Sequence, residues 1–281
     1  MSAENIINLT DRKKLYSVVP VDPSDFKLDT LDSDLRSFVV SGPLGPMFDH
    51  PLHREMMLLA VAGTPAINWG TYVKPAGLRS INEIIRRRRA ALEEARAAGD
   101  WRSYVFIHHR PYRVEALSQI INEVGVSDLW PLVGEVWQDT ESSSASADEW
   151  QDVWELSYSR RGKFRRKSRE VMAIDDRRYY RALPDFIKVY RGCRDENHIA
   201  SFSWTLDQSV AEWFAYRSPG GEPILAQAEI SKTQALAYFG DRNESEIVVD
   251  PFYICDCEFE IQRLPARNDM PARPGLKQEA A

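Results

Sequence analysis

Cysteine, glycine and long apolar runs are all in short supply in this sequence. Three cysteines, Cys193, Cys255 and Cys257, cannot all pair with one another and are too few for a disulfide scaffold. The last two stand one residue apart in a strand-like run, without the CxxC spacing or the neighbouring histidine of a zinc site, so buried free thiols are expected. Fourteen glycines and sixteen prolines in 281 residues exclude collagen-like and low-complexity architectures. The longest apolar stretch, Met56–Ala62, is too short to cross a bilayer. Charges stand at the N-terminal positions where a secretory signal would need its apolar segment, so a cytoplasmic protein with no membrane partner is expected. No glycine-rich phosphate loop, G-x-G-x-x-G or G-x-S-x-G occurs, which argues against common nucleotide kinases, Rossmann oxidoreductases and serine hydrolases. Among the histidines, His50 and His53 have an i, i+3 spacing, but His108, His109 and His198 supply no evident third ligand, and no metal is expected.

What is present is a globular composition: 43% hydrophobic, 11% aromatic and 28% charged, with a formal net charge of -6. That suffices for a substantial core in one large domain or two ordinary ones. The first half reads mostly helical. Ser80-Ile81-Asn82-Glu83 is a capping-box pattern leading into a helix that stops at Gly99. Leu117, Ile120, Ile121 and Val124 stripe a second helix, and Ser127-Asp128 precedes a third that carries Trp130, Val133 and Trp137. The polar segment 139–149, DTESSSASADE, is the clearest loop. Helical character returns over 150–156 and 165–183. The period then changes, and strands are predicted over 186–190, 201–205, 223–230, 246–249 and 253–264. A helix carrying Val210, Ala211, Phe214 and Ala215 interrupts them, capped by Thr205 or Asp207, and the proline-bearing tail after Arg263 reads as frayed. Helices first and strands later argue for an α+β protein.

Three pieces in this strand-rich region carry chemistry-bearing residues in a fixed order. They are Val189-Tyr190-Arg191-Gly192, then Ser201-Phe202-Ser203-Trp204-Thr205 with its following helix, then Arg242-Asn243-Glu244-Ser245-Glu246 leading into Ile247-Val248-Val249. The series resembles the R-S-E signature of the mono-ADP-ribosyltransferases over residues 186–262. Arg191 matches the signature arginine, Ser203-Trp204-Thr205 the Ser-Thr-Ser segment, and Glu244-Ser245-Glu246 the E-x-E element. Trp204 departs from the small hydroxyl residue at the centre of that segment, and a second register would place Ser201 at the key position.

The resemblance implies a core of two packed, mostly antiparallel sheets with an NAD cleft between them, over residues 106–265. A helical N-terminal region (1–105) would precede it and a flexible tail (266–281) would follow. NAD would be the co-substrate. Arg191 would anchor its diphosphate through a rigid fork of donors, with Gly192, Ser203, Thr205 and Phe214 completing the binding site. Glu246 would hold the ribose 2′-hydroxyl and oppose the positive charge that builds as the nicotinamide–ribose bond breaks, with Ser203 orienting it. Glu244 would pair with an arginine acceptor and help deprotonate it. Tyr238 and Phe239 are either acceptor contacts or core residues.

The acceptor would be a macromolecule, protein arginine by preference or nucleic acid, in the setting of a bacterial or phage toxin or effector acting in a host cell. Residues 1–105 would dock an inhibitory partner or support the core. A glycohydrolase using water as acceptor, and a non-catalytic RNA- or protein-binding module on the same fold, are the alternatives. Two basic runs bear on the choice. Arg86–Arg89 reads as a solvated helix face with local ion pairs, and the segment 160–169 as a charged surface rather than a nucleic-acid groove.

Overall fold

A computed structural model describes residues 31–42, 45–58, 71–72, 75–140, 146–158, 166–217, 221–267 and 270–274. The protein is α+β, and it divides into two units, residues 1–113 and 114–281. Among the described residues no helix is long and apolar enough to cross a membrane.

The N-terminal unit, expected to be helical, also carries a sheet. It contains a four-stranded sheet of β1 (Val39–Gly42), β2 (Gly45–His50), β3 (His53–Leu58) and β4 (Thr71–Tyr72), antiparallel except for the β3–β4 pair. The helices α1 (Pro75–Ala98) and α2 (Trp101–Ile107) follow. Helix α1 opens at Pro75, so Ser80 lies inside it and does not start it; proline is favoured at a first helical position because its missing N–H would have no partner there. Gly99 ends the helix with φ +66, the left-handed conformation that glycine adopts without strain. The core gathers Leu31, Leu35, Phe48, Leu52, Ile81 and Ile85. The arginine run is tied down locally: Arg87 pairs with Glu83 at 3.4 Å, Arg89 with Asp34 at 2.9 Å, and Arg88 donates to the Leu52 carbonyl. The basic segment 160–169 lies largely outside the described residues. Within its described part Lys167 pairs with Asp128, and Arg169 covers the Tyr180 ring at 4.3 Å.

The C-terminal unit begins with α3 (Arg113–Val124), α4 (Trp130–Asp139) and α5 (Ala147–Glu155), close to their predicted positions. Trp130, Trp137, Trp150 and Trp154 pack into one aromatic cluster with Phe202 at its edge. Such rings bury large apolar areas and carry much of a core's stability. The single helix expected over 165–183 is broken into a 3-10 segment (Arg166–Val171) and α6 (Ile174–Ala182), whose first turn carries Asp175 and Asp176 against the helix dipole.

One six-stranded antiparallel sheet follows, in the order β10-β7-β5-β6-β9-β8. Its strands are β5 (Phe186–Cys193), β6 (Ser203–Thr205), β7 (Ile224–Ser231), β8 (Ala235–Phe239), β9 (Glu246–Val249) and β10 (Glu260–Arg263). The expected pair of packed sheets in this region is therefore a single sheet among the described residues. It has a waist, because β5 and β6 share one registered pair, Tyr190↔Thr205, while β5 and β7 share eight. Helix α7 (Gln208–Arg217) is capped by Asp207, whose carboxylate accepts the Ser209 N–H at 2.8 Å. The strand expected over 253–264 begins instead as a helix, α8 (Pro251–Cys255). Asp250 caps it through the Phe252 N–H, and Pro251 holds its first position, so local capping overrides the apolar alternation there. Cys255 is consequently exposed in α8 and does not share a strand face with Cys257; of the three thiols only Cys193 is buried.

Candidate functional site

Strand β9 runs Glu246-Ile247-Val248-Val249, and its three apolar residues are completely buried. A β-branched run of this kind is suited to a central strand covered on both faces. Glu246 heads the run and is itself only 7% exposed. A buried carboxylate is costly unless it is hydrogen-bonded. Register supplies the partner. Thr205 sits opposite Glu246 and Ser203 opposite Val248, so the period-two pleat turns Ser203, Thr205 and Glu246 to one face. The Ser203 hydroxyl donates to Glu246 Oε1 at 2.6 Å, the short distance of a charge-assisted bond. This contact selects Ser203 over Ser201 as the serine that meets the glutamate. Ser201 serves another purpose, its carbonyl accepting the indole N–H of Trp204 at 2.9 Å, and Trp204 is buried against Phe259.

Arg191 approaches from β5. Its Nε donates to the His198 carbonyl at 2.7 Å and an Nη donates to the Ser203 carbonyl. The guanidinium thus closes the waist of the sheet, tying β5 to the residue that bonds Glu246. Burial pushes its pKa below the ordinary arginine value, and the nearby Glu246 carboxylate opposes that shift. The expected fork of donors toward a diphosphate is in part committed to these backbone carbonyls.

Gly192 has a packing role. A Cβ there would lie 1.8 Å from the Ala211 carbonyl oxygen and 2.5 Å from the Ala215 nitrogen, both on α7. The absence of a side chain is what lets α7 lie on β5. Phe214, on the same helix, is half-buried with its ring centroid 5.0 Å from that of Trp213, and Arg217 lies over both rings.

Thr205 holds the turn before β9. Its hydroxyl donates to the Glu244 carbonyl at 2.5 Å and accepts the Asp207 N–H at 3.0 Å. Ser245, between the two glutamates, has φ 45, and Asn243, just before them, has φ 54, left-handed conformations that cost a non-glycine residue about 1–2 kcal/mol. The Ser245 carbonyl accepts the Leu206 N–H at 3.0 Å, so this strained turn is pinned to the end of β6.

Comparison with models of protein families, with curated proteins and with solved structures finds no match for this chain.

The remaining expected residues fall as follows. Tyr238 and Phe239 belong to β8 and are 6% and 2% exposed, the core alternative of the two readings. Among the described residues no three His, Cys, Asp or Glu side chains are grouped to hold a metal ion. His50 is buried, its Nδ1 accepting the Leu52 N–H at 3.0 Å, and His53 pairs with Glu55 at 2.9 Å. Two residues escaped the sequence reading. Arg273, in the segment taken as a frayed tail, pairs with Glu244 at 2.6 Å and lies over the Trp213 ring at 5.2 Å. An isolated arginine between prolines carries no local signal of such a contact, and Trp213 reads like any aromatic on a helix.

Proposed function

We propose that this chain is a mono-ADP-ribosyltransferase that cleaves NAD at the nicotinamide–ribose bond and passes ADP-ribose to an arginine-bearing acceptor. The single observation that carries the reading is the part-buried Ser203–Glu246 hydrogen bond across β6 and β9, with Arg191 reaching the Ser203 carbonyl. The order of residues in the sequence adds the resemblance. The donor set suits the dinucleotide: a carboxylate and a hydroxyl on one face can share the two hydroxyls of a ribose. A cation beside them adds favourable potential for a diphosphate.

The chemistry follows from the placement of charge. Glycosidic cleavage builds positive charge on the sugar, and a preorganised carboxylate in a partly water-excluded place stabilises that charge more than it stabilises the ground state. Glu246 supplies it. Ser203 holds one oxygen of that carboxylate, and Arg191 holds Ser203 through its carbonyl. Glu244, two residues away and 13% exposed, accepts a guanidinium in the structure, and carboxylate pairing is what an arginine acceptor needs. The strain at Ser245 belongs to the same element, where strained backbone is commonly concentrated in active sites.

The test is incubation of the purified protein with NAD labelled in its adenylate part, in cell extract, beside E246A. The reading requires nicotinamide release and protease-sensitive label from the wild type and neither from E246A. Nicotinamide release without labelled macromolecule would select the glycohydrolase, nuclease-sensitive label a nucleic-acid acceptor. No cleavage by the wild type would leave only a binding module.

A further inference from the structure

The described tail ends beside the turn that carries both glutamates. Arg273 Nη2 lies 2.6 Å from Glu244 Oε1, in an ion pair whose side chains are 30% and 13% exposed. Its guanidinium also covers the Trp213 ring at 5.2 Å, so charge and aromatic face hold it together. Pro271 and Pro274 bracket the segment and restrict its backbone. Glu244 is itself held, because its carbonyl accepts the Thr205 hydroxyl on the strand that bears Ser203. An arginine of this chain therefore pairs with the very glutamate that, in the transferase reading, meets an acceptor arginine.

We propose that Arg273 is an internal acceptor, modified by ADP-ribose in cis. The inference rests on the transferase reading above. In the step, a guanidinium nitrogen of Arg273 bonds to C1′ of the nicotinamide riboside in NAD as the C1′–nicotinamide bond breaks. The electron pair of that bond leaves with neutral nicotinamide, and the proton displaced from the nitrogen passes to Glu244 and then to water. The products are ADP-ribosyl-arginine, nicotinamide and a proton. Arginine is protonated at neutral pH and a poor nucleophile, so a carboxylate already touching the nitrogen is the group this step requires.

The experiment uses the full chain with NAD, intact mass and peptide mapping, and a parallel assay of released nicotinamide. A single ADP-ribose adduct on the peptide containing Arg273 is expected. It should form at a rate independent of protein concentration and be missing from R273K and E244Q. A second measurement needs no dinucleotide. Calorimetric titration with agmatine, a small guanidinium, should show R273A binding roughly tenfold more tightly than the wild type, because the tail no longer competes. Nicotinamide release with agmatine labelled but Arg273 unmodified overturns the inference and leaves the transferase reading standing. Equal agmatine affinity in R273A and wild type also overturns it. Absence of nicotinamide release removes both.

Discussion

The two units share one way of burying polar groups, and the C-terminal unit adds a second. In the N-terminal unit the buried polar side chains described satisfy backbone or close on each other. Asn82 accepts the Asp32 N–H at 3.1 Å and returns a bond to the Asp32 carboxylate at 2.9 Å, while His50 caps the Leu52 N–H. These are the bonds a turn or helix entry needs, and removing either partner costs the fold. In the C-terminal unit a carboxylate and a hydroxyl meet side chain to side chain across β6 and β9, beside a turn held in left-handed conformations. The sheet would gain more from an apolar pair there. Polar burial that supports backbone explains itself. Polar burial that adds cost and strain needs a different reason, which the proposed function supplies.

The sharpest break in that comparison is E246Q. The amide still accepts the Ser203 hydroxyl, so the fold should persist by circular dichroism and thermal melting. Removal of the charge should lower nicotinamide release on the order of 10²–10³-fold. A variant that unfolds would make Glu246 structural, like Asn82; one that keeps full activity would end the catalytic reading. G192A comes next and touches stability first. Its methyl group meets the Ala211 carbonyl at 1.8 Å, so α7 must lift from β5, at a cost near the top of the range of about 1–3 kcal/mol for overpacking. Urea unfolding measures it, and an unchanged midpoint would show that α7 is not seated on β5. R191K keeps the charge but loses the geometry that reaches two carbonyls at once, and should lose about 1.5–3 kcal/mol.

Much of the site was legible because its parts are local. The bounds of β9 are those predicted, since three β-branched residues after a glutamate admit few other readings, and Asp207 was one of two foreseen caps for α7. What escaped lies where local pattern and tertiary context part. Strand β8 has all five residues buried, so it lacks the alternation that marks a half-buried strand, and it is missing from the predicted strands. The run at 253–264 erred the other way, an apolar alternation masking the Asp250-Pro251 helix start. The dual task of Arg191 and the contact of Arg273 with Glu244 depend on strand register and on the path of the tail. Neither leaves a trace in neighbouring residues.

The gentlest effect separates the units by acid. His50 is packed against Phe38 and Phe48, and its Nδ1 accepts the Leu52 N–H. Burial first, then the nearby Arg89, lowers its pKa to about 4, with Asp34 opposing the shift. In the unfolded chain the same group titrates near 6.5. Between those values the unfolded state binds the proton and the folded state does not, so stability conferred by neutral His50 is complete above about pH 6.5 and is lost progressively down to about pH 4. Thermal melting followed by hydrogen exchange at Leu52 and Ile81 should show the N-terminal unit weakening over that interval. H50N keeps an acceptor for the Leu52 N–H but carries no titrating ring, and should flatten this part of the acid slope. A slope that survives in H50N would move the acid response away from His50.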